Sequence, residues 1–147
     1  MRREARELAL KCLFQWDQRR DDGQQLAEAL IREWTRNADA ATYCRKLLKA
    51  YWERESEIDE LIKKAADKWR LERMSAVDRT VLRLATTEMC YFPDVPPRVV
   101  LDEAIELAKS YSTEKSGAFV NGILDRILSE RKLEADGIRE VVRPQEE

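Results

Sequence analysis

The sequence predicts an all-α domain, and three observations predict it. Seven stretches repeat apolar residues at the i, i+3, i+4, i+7 spacing of one helix face. No stretch alternates apolar and polar residues between Asn-Gly or Asp-Gly turns, so no hairpin is written into the chain. The 147 residues are 44% hydrophobic and 38% charged. That is enough apolar surface for one core and enough charge to cover the outward helix faces.

The first helix runs from about Arg3 to Gln18, with Ala5, Leu8, Ala9, Cys12, Leu13 and Trp16 on one face. It stops in Arg19-Arg20-Asp21-Asp22-Gly23. The second spans about Gln24 to Thr35 with Ala27, Leu30, Ile31 and Trp34 inward, and Asp39 is the expected N-cap of the third. That third helix carries Cys44, Leu47, Leu48, Tyr51 and Trp52. Ser56-Glu57-Ile58-Asp59 resembles a capping box and opens a fourth helix whose apolar face runs Ile58, Leu61, Ile62, Ala65, Ala66, Trp69. Ser75-Ala76-Val77-Asp78 is a second such box. The helix behind it has a wide apolar arc (Val77, Val81, Leu82, Leu84, Ala85, Met89), which predicts a central position. Pro93, Pro96 and Pro97 then forbid a continuous helix. The sixth helix spans about Arg98 to Tyr111, and Ser112 or Thr113 caps a seventh carrying Phe119, Val120, Ile123, Leu124, Ile127 and Leu128. After Lys132 the pattern fades. Residues 1–132 form the domain, and residues 133–147 form a charged tail in which Ile138, Val141 and Val142 could strap back onto the body.

Composition narrows the function. The net charge is −2, so nucleic acid would have to be met by a local patch. The first twenty residues hold one: six cations (Arg2, Arg3, Arg6, Lys11, Arg19, Arg20) against three anions (Glu4, Glu7, Asp17), a local +3. No run of about 20 apolar residues could cross a membrane, and no apolar segment follows the basic start as in a secretory signal. Cys12, Cys44 and Cys90 are odd in number and form no CxxC pair, which suits core residues in a reducing, cytoplasmic setting. There is no histidine, hence neither the commonest general base nor the commonest metal ligand. The four glycines build no phosphate-cradling loop. Asp102, Glu103 and Glu106 sit near the start of the sixth helix, where acids favour the dipole, so they are read as structural rather than catalytic. These features predict a protein that is not an enzyme and holds no metal or cofactor.

Two segments stand out. A helix N-terminus carries partial positive charge, so cations in its first turn are mildly unfavourable. Arg2, Arg3 and Arg6 lie away from the centre of their helix's apolar stripe, and stability alone does not ask for them. A ligand phosphate would gain from both the guanidinium forks and the free helix N–H groups. In the seventh helix, Gly117 and Gly122 each cost about 1 kcal/mol relative to alanine. Close helix packing is the expected reason at Gly122; at Gly117 packing and ligand approach stand open. Tyr111 and Phe119 are read as core or half-buried, with a stacking platform for an unpaired base as the functional alternative.

The stretch Val95-Pro96-Pro97-Arg98-Val99-Val100-Leu101-Asp102-Glu103-Ala104-Ile105-Glu106-Leu107-Ala108-Lys109 resembles the NusB family of bacterial transcription antitermination factors. So do Phe119-Val120-Asn121-Gly122-Ile123-Leu124-Asp125, Val77-Asp78-Arg79-Thr80-Val81-Leu82-Arg83-Leu84-Ala85 and the opening Arg2-Arg3-Glu4-Ala5-Arg6-Glu7. The matches extend from about residue 2 to 128. The resemblance implies a seven-helix, all-α fold of two packed helical subdomains. It implies binding of single-stranded boxA RNA in ribosomal RNA transcripts, as a heterodimer with NusE, the small-subunit ribosomal protein, within the transcription elongation complex. Carried over by position, it assigns Arg2, Arg3 and Arg6 to RNA, with Phe119 and Asn121 as weaker candidates, and Asp78 to NusE. Family members often carry a basic residue just before Phe-Val-Asn-Gly. This chain has Ala118, with Lys115 one turn earlier as the substitute charge. Two alternatives accompany this reading: an RNA-targeting domain like the N-terminal part of a ribosomal RNA cytosine methyltransferase, and a helical scaffold that binds protein only. An exposed partner surface could also support a homodimer when the partner is absent.

Overall fold

The computed structural model describes residues 2–20, 23–67 and 69–142, with residue 23 and residues 132–142 as backbone only. Among the described residues there are seven α-helices and no strand. They are α1 (Arg2–Arg19), α2 (Gly23–Trp34), α3 (Ala38–Glu53), α4 (Glu55–Ala66), α5 (Ala76–Tyr91), α6 (Pro97–Tyr111) and α7 (Glu114–Val142), with a 3-10 turn at Leu71–Arg73. α1 packs on α2 and α3. α6 packs on α7, and α4 also lies against α7. α5 touches both groups, packing on α1, α3, α4, α6 and α7. Every residue from Thr80 to Glu88 is buried, which explains the wide apolar arc of this helix. One continuous core runs through both groups.

The helix starts show where local reading holds. Ser75 caps α5, its side chain accepting from the Asp78 N–H at 3.1 Å. Pro97 occupies the first turn of α6, where its missing N–H costs nothing. Asn37, not Asp39, caps α3: its side-chain oxygen accepts from the N–H groups of Asp39 and Ala40 at 3.0 and 3.1 Å. α4 begins at Glu55, with only Arg54 between it and the end of α3, so Ser56 lies inside the helix and caps nothing. α4 stops at Ala66. Trp69 therefore does not extend its apolar face and stands 61% exposed. α7 continues as helix to Val142, beyond the point where its apolar pattern fades. The side chains of Ile138, Val141 and Val142, the expected strap, lie outside the described residues, as does the chain after Val142.

Two buried ionic clusters tie the groups together. Asp17 of α1 accepts from Arg79 at 2.6 Å and from Arg83 at 2.7 Å. Arg83 donates also to Asp59 of α4 (3.1 Å), which accepts from the Tyr51 hydroxyl of α3 (3.0 Å). Arg79 further holds the carbonyls of Leu71 and Met74 at 3.2 and 2.7 Å, which pins the 3-10 turn to α5. Burial pushes the Asp17 carboxyl up, but the two guanidiniums more than reverse this and hold it below the ordinary carboxylate range. The second cluster, Arg6–Glu88–Tyr43, lies at the other end of α5. Cys12 and Cys44, distant in sequence, are neighbours here: a hydrogen bond to Cys12, together with burial, pushes the Cys44 thiol far up. All three cysteines are free.

Candidate nucleic-acid interface

The first turns of α1 lie against the end of α5 and the start of α6, and each of the three arginines meets an acid there. Arg2 reaches Asp94 at 3.4 Å and sits over the Tyr43 ring at 5.0 Å. Arg3 makes a bidentate pair with Glu103 at 3.0 and 2.8 Å, its side chain 64% exposed. The hydrogen bond and charge of Arg3 hold the Glu103 carboxyl below its ordinary range, and burial opposes this only in part.

Arg6 differs in kind, and the expectation that stability does not ask for it is overturned. Its side chain is 8% exposed and makes bonds of 2.9 and 2.6 Å to Glu88, itself only 2% exposed; Glu88 also accepts from the Tyr43 hydroxyl at 2.7 Å. Arg6 also lies 4.0 Å from Glu103. Stability does ask for this arginine. A buried pair of this kind leaves an uncompensated charge if either partner is removed. The sequence signal for it is Glu88, the one acid in the buried stretch from Thr80 to Glu88 of α5. Glu103, read as an acid serving its own helix dipole, instead fastens α1 to α6.

The remaining candidates gather on α7. Lys115 and Asn121 are exposed and make no bond to other described residues. Phe119 is half-buried and meets Trp69 edge-to-face, ring centroids 5.7 Å apart at 89°. The expectation of close packing at Gly122 is overturned, and of the two readings left open at Gly117 packing is the one found. A Cβ on Gly117 would lie 2.8 Å from Lys109 Cγ and 3.5 Å from Ile105 Cγ2, so Gly117 is the close-packing position between α6 and α7. A Cβ on Gly122 would meet nothing within 4 Å; Gly122 lies on open surface, one turn after Phe119. α6 thus stands between the two sets, with Glu103 facing α1 and Ile105 and Lys109 facing α7. Among the described residues no hydrogen bond, ion pair or ring contact joins Arg2, Arg3 or Arg6 to these α7 residues.

Asp78 is set apart from both. It is the third residue of α5, yet its carboxylate does not complete a capping box: its Oδ1 is buried and has no hydrogen-bond partner. Val77, immediately before it, lines a mainly apolar cavity of about 300 Å³ with Leu10, Phe14, Trp34 and Tyr111. Trp34 and Tyr111 are 39% and 38% exposed at this cavity. Among the described residues no group of acids and cysteines could hold a metal, and no helix is long and apolar enough to cross a membrane.

An all-helical body that offers cationic and aromatic side chains on its flank, and an apolar cavity beside a carboxylate oxygen without a partner, has the features of a binding protein. The sequence model of the NusB family matches residues 3–129. The transcription antitermination protein NusB of Salinibacter ruber is 44% identical over 128 residues, 86% of this chain and 80% of that protein. The protein of the same name from Geobacillus kaustophilus is 45% identical over 126 residues, 86% and 94% of the two chains. Among solved structures, T. maritima NusB superposes with a TM-score of 0.82 at 47% identity, covering 88% of this chain and 92% of that one. A structure of antitermination factors NusB and NusE in complex with dsRNA contains a chain with TM-score 0.81 and 32% identity, covering 88% and 96%. The chain belongs to the NusB family of transcription antitermination proteins.

Proposed function

We propose that this chain binds the boxA element of ribosomal RNA transcripts as a heterodimer with NusE and so acts within the transcription elongation complex. The observation that carries the reading is the solvent-facing Arg2–Arg3 pair at the start of α1, whose ion-pair partners are the exposed Asp94 and the half-buried Glu103. Such surface pairs are weak and exchange readily for phosphate. The related NusB chain solved with NusE and RNA supports the same reading. Arg2 and Arg3 take phosphates. Arg6, locked on Glu88, is a positioning residue that fixes the helix start and shares Glu103 with Arg3. Lys115 supplies the charge absent at Ala118, while Phe119 and Asn121 offer a ring and an amide to unpaired bases. Phosphate contacts set register; base edges and stacking set sequence preference.

NusE docks at Asp78 and the apolar cavity beside it. A buried carboxylate oxygen without a partner is costly, and a donor from NusE relieves that cost. The test is a titration of labelled boxA RNA with the chain, alone and with NusE, beside a direct measurement of NusE affinity. NusE is expected to tighten RNA binding. Asp78→Asn is expected to weaken NusE binding with little change in melting temperature, because Ser75 supplies the cap bond. Absence of RNA binding in the presence of NusE would leave a protein-only scaffold and overturn the proposal.

A further inference from the structure

We infer that Trp69, braced by Phe119, is a stacking platform for one unpaired base of the bound RNA. This rests on the RNA-binding reading above and extends it to a residue outside the matched motifs. An indole 61% exposed forgoes most of the stabilisation its burial would bring. It is nevertheless held in place. α4 ends at Ala66, Asp67 turns the chain with φ at 57°, and the Trp69 N–H returns to the Ala66 carbonyl at 3.2 Å. Two residues later Leu71 is buried, and its carbonyl is gripped by Arg79. Phe119 then sets the indole perpendicular to its own ring. The platform is fixed before any ligand arrives, so little conformational entropy is lost on binding.

The surroundings point to nucleic acid rather than to a protein. Residues 63–73 contain five cations (Lys63, Lys64, Lys68, Arg70, Arg73) and two anions (Asp67, Glu72), a local +3 in a chain of net charge −2. That equals the excess of the first twenty residues, and Trp69 lies within it. Lys63, Lys64, Arg70 and Arg73 are exposed; among the described residues Arg70 has only a 3.9 Å contact with the exposed Glu72. A protein hot spot centred on an aromatic is surrounded by groups that exclude water. A rim of solvated cations instead suits a base on the ring and phosphates beside it. Gly122, one turn along α7 from Phe119, leaves open space for the strand to approach closely, and the Asn121 side chain is exposed.

The experiment measures binding of fluorescein-labelled single-stranded boxA RNA to the full chain with NusE, for wild type, Trp69→Ala, Trp69→Leu and Trp69→Phe. Loss of one base–aromatic stack weakens binding about 5- to 150-fold, and both Trp69→Ala and Trp69→Leu are expected in that range. Trp69→Phe keeps a π face and is expected to stay within a few-fold of wild type. The slope of log K against log salt should not change in Trp69→Ala, since no phosphate contact is lost; Arg3→Ala should flatten it by about 0.7. NusE affinity and melting temperature are measured beside these. Wild-type affinity in Trp69→Ala overturns the platform alone. So does equal loss in Trp69→Leu and Trp69→Phe, which would mean shape rather than stacking. Loss of NusE affinity with RNA affinity intact would make Trp69 a protein contact. Failure of the wild type to bind RNA would sink the platform and the RNA-binding reading together.

Discussion

Arg3 and Arg6 lie one turn apart on the same helix and have opposite parts. Arg3 is paired at the surface, where such a bond is screened and contributes little. Arg6 is paired with Glu88 inside the protein. Arg6→Ala should therefore lower the unfolding free energy by about 3–5 kcal/mol, the cost of stranding one member of a buried pair. Arg3→Ala should leave the urea midpoint nearly unchanged while weakening RNA binding. Replacing Arg6 and Glu88 together by leucine should recover most of the loss, since an apolar pair of similar volume needs no desolvation. Equal midpoints for the two single variants would show the Arg6–Glu88 pair to be unimportant. From sequence alone the two arginines are alike. What separates them is an acid 82 positions away from Arg6, and no local pattern encodes which edge of an apolar stripe faces it.

Among the elements, α7 makes the sharpest prediction, because its two glycines differ only in what surrounds them. Gly122→Ala adds a methyl group into open space and should raise stability by about 1 kcal/mol. Gly117→Ala forces Lys109 aside from 2.8 Å and should give no such gain. Thermal melts of both variants decide it; equal gains would mean that α6 yields freely. The seven helices were legible because burial repeats with the helix period, and Ser75 was legible because one good cap stood alone before an apolar run. Asn37 and Asp39 are both good caps two residues apart, so local chemistry could not choose between them. The sequence puts the α3–α4 break late, at Ser56, because a single residue, Arg54, carries it without glycine or proline. Trp69 fits the α4 period yet lies past the helix end. The run of cations around it, not its spacing, was the usable signal.

For the whole molecule the Asp17–Arg79–Arg83–Asp59 network sets the response to acid. Its Asp17 carboxyl titrates below the ordinary value of 3.8, so the folded state holds this proton more weakly than the unfolded chain does. The stabilisation is complete above that ordinary value and is lost as pH falls through the depressed one. Urea midpoints should hold steady from neutral pH to about 5 and drop steeply below about 4. Asp17→Asn should cost about 3–5 kcal/mol at neutral pH, because Arg79 and Arg83 lose their shared carboxylate. It should also flatten part of the acid limb; an unchanged limb would place the sensitivity elsewhere. The same network has a consequence for folding. Asp17 is joined to partners 62 and 66 positions along the chain, so neither bundle completes its interior while the other is absent. A ribosome that has released only α1, α2 and α3 holds a fragment whose Asp17 still awaits its guanidiniums. The joint between the two groups thus closes only after α5 has emerged.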